Sequence, residues 1–192
     1  MSRVVDAVTS RLSLEAYARK RVPRGRDTAT NRLGQNSLIR ELTYLKTLSH
    51  THLVRYVASY TDEKYIAFLM QPVADYDLEK LLRNLGRDAT GAECLRPFYG
   101  CLAGAIQYLH ENKIRHRDLK SRNILIKDGR AFVADFGTAY SWKGSKHSIT
   151  NHRDVPYTAE YIAPEIALHK SRSTASDMWS LGVVFMEIST VL

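Results

Sequence analysis

Several features are scarce in this chain of 192 residues. It has two cysteines, Cys94 and Cys101, and no Cys-x-x-Cys pair, which argues against a zinc site. On one helix the two would lie about 10 Å apart, too far for a disulfide. No window approaches the ~18 apolar residues needed to span a membrane, and the N-terminal apolar run is too short for a signal peptide. We therefore expect a cytoplasmic protein, with the nucleus as the alternative, and no membrane segment.

A concentrated basic tract is also missing, although the net charge is +8. The basic residues are spread over many segments, and the densest stretch, residues 20–26, has no interleaved aromatic residues. This pattern favours a solvated basic surface over a nucleic-acid site. With 44% hydrophobic and 25% charged residues, the composition is that of an ordinary globular protein. The length allows one domain or two small lobes.

Periodicity indicates a strand-rich first part. Alternation over residues 16–23 predicts a strand that ends at Pro23, and residues 53–60 and 65–71 predict a β-hairpin. Leucines at helical spacing predict an amphipathic helix over residues 35–48, after a polar loop over 24–34.

The second part is dominated by helical patterns. We predict helices over residues 77–85 and 93–112 and from about Ser176, and a strand pair over 124–126 and 131–134. Residues 138–160 form a long polar stretch, which in a compact domain is usually functional. The predicted fold is α+β, with a small β-rich lobe and a larger helical lobe that meet near Pro72.

Two motifs in the second part carry candidate chemistry. Residues 116–123 read HRDLKSRN, and residues 135–137 read DFG. Asp135 and Asn123 supply the hard oxygen ligands that Mg²⁺ prefers. Asp118 offers a carboxylate that could accept a proton from an attacking hydroxyl, and Lys120 places a cation two residues away. Together these residues fit phosphoryl transfer.

The ordered motifs resemble the eukaryotic protein kinase family. Ala163-Pro164-Glu165 and the run from Asp177 to Gly182 match two further motifs of that family. The resemblance implies ATP and Mg²⁺ as cofactors, with Asn123 and Asp135 as metal ligands. It also implies that Lys20 binds the α- and β-phosphates and that Glu41 is its ion-pair partner.

The resemblance also assigns the nucleoside contacts. It implies a hinge over residues 69–73, with Met70 as gatekeeper and with Gln71 and Val73 near the adenine. Asp77 falls where an acidic residue meets the ribose. The remaining positions are those that enclose the adenine in the family: Val5, Ala18 and Leu125.

Two residues indicate the substrate class. Lys120 within HRDLKxxN and Thr158, seven residues before Glu165, are typical of serine/threonine kinases. In these the threonine contacts the catalytic aspartate and lysine. Proteins with Ser or Thr hydroxyls are therefore the expected substrates, with Asp118 and Lys120 as catalytic residues.

The chain departs from the family pattern at both ends. It has no GxGxxG before Val5, and it stops within the central helix of the family. We expect a kinase domain truncated at both ends. Residues 1–72 then form the N-lobe part, without the glycine-rich loop, and residues 73–192 form the C-lobe part. Little turnover is expected from such a chain, so a nucleotide- or protein-binding module without catalytic activity remains the alternative.

Arg117 directly precedes the candidate catalytic aspartate. In kinases with this arginine, a phosphorylated residue of the activation segment typically pairs with it. Asp154 occupies the position of that residue here. It would allow partial ordering without phosphorylation, or it is a solvated loop residue. Ser148 and Thr150 remain candidate phosphorylation sites.

Overall fold

The computed structural model describes residues 4–24, 29–86, 92–144 and 158–192. Helices and short β-pairs follow a strand-rich first part, which confirms the predicted α+β class. The strands are β1 (Val4–Thr9), β2 (Ala16–Pro23), β3 (Arg55–Thr61), β4 (Tyr65–Gln71), β5 (Tyr76–Asp77), β6 (Ile114–Arg115), β7 (Ile124–Lys127), β8 (Arg130–Val133) and β9 (Tyr140–Ser141). The helices are α1 (Ala29–Leu45), α2 (Leu78–Leu85), α3 (Arg96–Glu111), α4 (Pro164–Ala167) and α5 (Thr174–Ser189).

An antiparallel sheet in the order β1-β2-β4-β3 forms the first part. Strand β2 alternates buried and half-buried residues, as expected of a strand with one face on the core. Its bounds and those of β4 match the predicted strands. Strand β1 was not predicted as a strand, although Val4, Val5 and Val8 are β-branched residues that favour one.

Helix α1 begins earlier than predicted. It covers residues 29–34, which we expected to be a loop. The sequence did not reveal this start because the first turns of the helix are polar and show no apolar stripe. It ends at Leu45 rather than at residue 48, but the backbone N–H of Leu48 still donates to the carbonyl of Tyr44, four residues earlier. Leu38 and Leu45 are buried, so the predicted apolar face does lie on the core.

Helices α3 and α5 form the centre of the second part. Leu102, Ile106 and Leu109 on α3 and Val184 and Ile188 on α5 are fully buried, and the two helices pack against each other. The strands β5, β7 and β8 form one small sheet, and β6 pairs with β9. Within the described ranges, no helix is both long enough and apolar enough to cross a bilayer.

The buried face of α3 gives a stability prediction. Leu109→Ala should lower the free energy of unfolding by about 2–5 kcal/mol, because it removes a fully buried side chain and leaves a cavity. The matched control is Leu168→Ala at an exposed leucine, where we expect a change within about 0.5 kcal/mol. Urea unfolding curves measure both, and equal losses in the two variants would contradict this core assignment.

Candidate active site

Lys20 is held between two carboxylates. Its Nζ donates to Glu41 Oε1 and Oε2 at 2.8 and 2.6 Å and to Asp135 Oδ1 at 2.9 Å. Lys20 and Glu41 are almost completely buried, so each charge depends on the other for compensation. The three residues come from strand β2, helix α1 and the turn after β8.

The backbone at Asp135 turns its carboxylate toward Lys20. Asp135 has φ 63°, in the left-handed region that aspartate tolerates better than most residues. Its Oδ1 also accepts a weak hydrogen bond from the N–H of Gly137 at 3.4 Å. The following residue, Phe136, is fully buried against the ring of His116, and this packing anchors the turn.

A second cluster joins Asp118, Lys120 and Thr158. Lys120 Nζ donates to Asp118 Oδ2 at 2.8 Å and to Thr158 Oγ1 at 2.9 Å. The Thr158 hydroxyl in turn donates to Asp118 Oδ1 at 3.1 Å. Thr158 lies 38 positions after Lys120 and 40 positions after Asp118 in the sequence, yet all three residues share one hydrogen-bond network around the Asp118 carboxylate.

Asn123 belongs to the same network. Its Nδ2 donates to the carbonyl oxygen of Asp118 at 2.7 Å and to Asp118 Oδ2 at 3.0 Å. Both amide protons are directed at Asp118, so the Oδ1 of Asn123 is left as an acceptor. Asn123 Oδ1 and the Asp135 carboxylate together offer one neutral and one anionic oxygen. Such a pair of oxygen ligands fits Mg²⁺ that is bound partly through phosphates.

Asp177 fixes the backbone that leads into Asp118. Its carboxylate accepts hydrogen bonds from the N–H groups of His116 and Arg117 and lies 2.9 Å from His110 Nε2. Burial raises the pKa of Asp177, but these hydrogen bonds outweigh it and leave the pKa below its ordinary value. The contact supports a strained backbone, because Arg117 has φ 73°.

The predicted nucleoside residues fall into two groups. On the large sheet, Val5 lies opposite Lys20, and Ala18 lies opposite Met70. Because directly opposite residues share a face, these four side chains lie on the Lys20 side of the sheet. Ala18 and Met70 are buried there, whereas Val5 is exposed.

The other group lies near the start of the helical part. Gln71 ends β4 and Val73 follows it, both half-buried. Asp77 pairs with Leu125 across β5 and β7. The Oδ1 of Asp77 also accepts the N–H of Lys80 at 2.8 Å and caps helix α2, a role that the sequence analysis did not assign to it.

Arginines are concentrated beside the Asp118 loop. Arg115 is fully buried, Arg172 nearly so, and the guanidinium groups of Arg115 and Arg117 both lie over the ring of Tyr140. Burial, together with the charges of Arg172 and Arg115, lowers the pKa of Arg117 to about 10. Its buried Nε and Nη2 have no hydrogen-bond partner among the described residues. Asp154, Ser148 and Thr150 lie outside those residues.

Several contacts that organise this site were not predicted from the sequence. No role was expected for His110 or the Asp177 carboxylate, or for Ser37 and Tyr44 of helix α1, which form hydrogen bonds with the segment after Asp135. Ser37 and Tyr44 lie four residues before and three after Glu41, so helical spacing alone places them on the same stripe. That spacing was a usable signal.

Comparison with known proteins gives one matching family model and several relatives. The family model described as "Protein kinase domain" matches residues 1–191. The chain is 36% identical over 152 residues to the human cAMP-dependent protein kinase catalytic subunit PRKX, covering 77% of this chain and 39% of that protein. It is 36% identical over 163 residues to the serine/threonine-protein kinase fused of Drosophila melanogaster, covering 84% and 19%.

A tyrosine kinase is also among the relatives. The tyrosine-protein kinase csk-1 of Caenorhabditis elegans is 32% identical over 154 residues, covering 80% of this chain and 28% of that protein. In each of these three comparisons the aligned region spans well under half of the relative.

The Asp177 contacts give a pH-dependent prediction. Asp177→Asn should lower the free energy of unfolding at pH 7 by about 2 kcal/mol, because it weakens hydrogen bonds to a charged acceptor. The folded-state pKa of Asp177 is lowered from 3.8. Its stabilisation is therefore present above about pH 4 and is lost as the pH falls through the lowered value.

Chemical denaturation at several pH values between 3 and 7 measures this difference. The gap between wild type and Asp177→Asn should narrow below about pH 4. Asp128→Asn, at an exposed carboxylate, is the matched control. A gap of constant size across the range would contradict the assignment.

Proposed function

Because the chain belongs to the protein kinase family, we propose that it carries catalytic machinery of the serine/threonine type. This machinery transfers the γ-phosphoryl group of ATP to Ser or Thr hydroxyls of proteins. The observation that carries the proposal is the contact of Thr158 and Lys120 with the two carboxylate oxygens of Asp118. Thr158, which is typical of serine/threonine kinases, therefore contacts Asp118, the candidate base.

Nucleotide positioning is assigned to Lys20 and Glu41. The Glu41 carboxylate holds Lys20 Nζ at two oxygens, which fixes the ammonium where it can meet the α- and β-phosphates. Positioning and charge stabilisation supply most of the catalysis in phosphoryl transfer. Glu41 and Asp135 together use all three N–H donors of Lys20. Contact with the phosphates would therefore replace the bond to Asp135, while Glu41 keeps the ammonium in place.

Metal binding is assigned to Asp135 and Asn123. When bound, Mg²⁺ neutralises charge on the phosphate oxygens. Asp135 contributes a carboxylate that Lys20 already orients. Asn123 contributes its side-chain oxygen while its amide protons hold Asp118. One side chain thus links the metal site to the candidate base.

Proton acceptance is assigned to Asp118. A Ser or Thr hydroxyl of the substrate would donate its proton to this carboxylate as its oxygen forms a bond to the γ-phosphorus. The bond between the γ-phosphorus and the β–γ bridging oxygen breaks in the same step, and ADP leaves with that oxygen. Lys120, 2.8 Å from Asp118, places a positive charge beside the transferred group. The hydroxyl of Thr158 keeps both side chains in register.

The adenosine moiety is assigned to the cleft beside the large sheet. Val5, Ala18 and Leu125 would enclose the adenine, with Met70 behind it and Gln71 and Val73 presenting backbone groups. Asp77 would meet the ribose, and its Oδ2 accepts no hydrogen bond from the described residues. This arrangement divides the chain into a lobe of residues 1–72 and a lobe of residues 73–192.

The first test of this function is nucleotide binding. Wild type should bind Mg-ATP weakly, and Asp135→Asn should weaken binding about tenfold, as loss of a charged ligand predicts. Calorimetric titration measures both affinities. Asp75→Asn, which also removes an ion-paired carboxylate but on the surface, is the control. Equal affinity of wild type and Asp135→Asn would remove the assigned metal role.

The second test is phosphoryl transfer to a basic protein rich in Ser and Thr. Turnover by the chain should be low, but Asp118→Asn should reduce it at least ~100-fold, as loss of a general base predicts. Thr158→Ala should reduce it as well, while Thr158→Ser keeps the hydroxyl and retains activity. Radiolabel transfer followed by phosphoamino-acid analysis gives the rate and the residue type.

Two results would count against the proposal. Label found mainly on tyrosine would overturn the proposed substrate class. Tyrosine is the relevant alternative because csk-1, a tyrosine-protein kinase, is among the relatives. Mg-ATP binding without any Asp118-dependent transfer would instead support a nucleotide-binding module.

A further inference from the structure

The loop between α1 and β3, residues 46–54, is a place where the first part of the chain docks on the second. Its backbone runs beside strand β8. The N–H of Val54 donates to the carbonyl of Val133 at 3.0 Å, and the N–H of Val133 donates to the carbonyl of His52 at 2.8 Å. Leu53 and Val54 are buried. The conformation of this loop therefore decides how the two parts meet.

Two histidines of the loop have different hydrogen-bonding roles. The Nδ1 of His50 accepts the backbone N–H of His52 at 3.1 Å, so this nitrogen carries no proton. The Nδ1 of His52 lies 2.9 Å from the carbonyl oxygen of Ala131 on β8. Because a carbonyl oxygen only accepts, this nitrogen must donate. His52 can therefore keep its contact in either protonation state, whereas His50 loses its contact when it is protonated.

The surroundings of His50 disfavour a positive charge. Its ring stacks on Tyr108 of α3 with 5.1 Å between the centroids and lies 5.9 Å from the ring of His52. Burial and then the charge of His52 lower the pKa of His50 from its ordinary 6.5, and no carboxylate of the described residues offsets them. A tyrosine ring attracts a cation, but burial and His52 outweigh it. On the β8 side the His52 ring meets Phe132, which also lies under the guanidinium of Arg130.

We propose that the protonation state of His50 controls how firmly the α1–β3 loop docks on α3 and β8. Neutral His50 holds the N–H of His52 and so fixes the backbone that pairs with β8. Protonation removes this acceptor and brings a positive charge into a buried place beside a second histidine, so the docked loop loses stability. The inference concerns the contact between the two parts of the chain and does not depend on the proposed function.

The direction of the pH effect follows from linkage. Because the pKa of His50 in the folded chain is lowered from 6.5, the unfolded chain binds more protons between the two values. The stabilisation by neutral His50 is therefore present above about pH 6.5 and is lost as the pH falls from there through the lowered value. Mild acidification should loosen the loop, and a return to neutral pH should restore it.

The test compares two substitutions of one side chain. His50→Asn keeps an acceptor for the N–H two residues on, as asparagine does in turns, but does not titrate. His50→Ala removes the acceptor at every pH. The readout is hydrogen exchange of the His52 amide, expressed as protection relative to the intrinsic rate at each pH. From about pH 7.5 to about pH 5, protection in wild type should fall roughly two- to tenfold. It should stay constant in His50→Asn and be low throughout in His50→Ala.

An NMR titration of the histidine rings identifies the group. The His50 signal should titrate at a lower pH than that of His169, which is exposed. The matched control variant is His169→Asn, because the φ of 55° at that position suits asparagine. It should leave the pH dependence of His52 protection as it is in wild type.

Two results would overturn the inference. One is the same fall in protection in His50→Asn as in wild type, because the pH dependence would then belong to another group, such as His52. The other is a His50 ring that titrates at or above the pH of His169. If His50→Ala does not fold, the comparison of wild type with His50→Asn still decides.

Discussion

The buried ammonium of Lys20 is the constraint on which the rest of the site depends. A lone buried charge is very costly, and Glu41 and Asp135 offset that cost only if strand β2, helix α1 and the turn after β8 meet at one point. The same contact gives Asp135 two tasks under the proposed function, because its carboxylate would serve both Lys20 and Mg²⁺.

A different kind of anchor holds the second cluster. Asp177 stabilises the loop through backbone N–H groups of His116 and Arg117 rather than through another side-chain ion pair. Its position at the buried start of α5 connects the loop to the core that α3 and α5 share. Asp118 lies on a loop, but this connection to the core restricts its movement. Precise placement of this kind is what positioning catalysis needs.

Long patterned elements could be predicted from the sequence, and short or distant features could not. Strands β2 and β4 were predicted with their observed bounds because alternation and the prolines at their ends define them. The start of α1 was missed because residues 29–34 lack an apolar stripe, and β5, β6 and β9 are two residues long and show no period. The clusters around Lys20 and Asp118 followed from the resemblance. The link between His110 and Asp177, 67 positions apart, depends on how α3 and α5 pack, which no local pattern encodes.

The surroundings of Lys20 and of the Asp118 loop differ in charge. Lys20 meets two carboxylates, whereas the Asp118 loop lies beside Arg115 and Arg172, which are buried, and Arg117, which is half-buried. Burial lowers the pKa of Arg117 most, and the charges of Arg172 and Arg115 lower it further. An ion pair between a negative group and Arg117 would therefore be stronger than the same pair at a solvent-exposed arginine. A phosphate would form a stronger ion pair there than a carboxylate such as that of Asp154, because the phosphate carries nearly two negative charges and the carboxylate carries one.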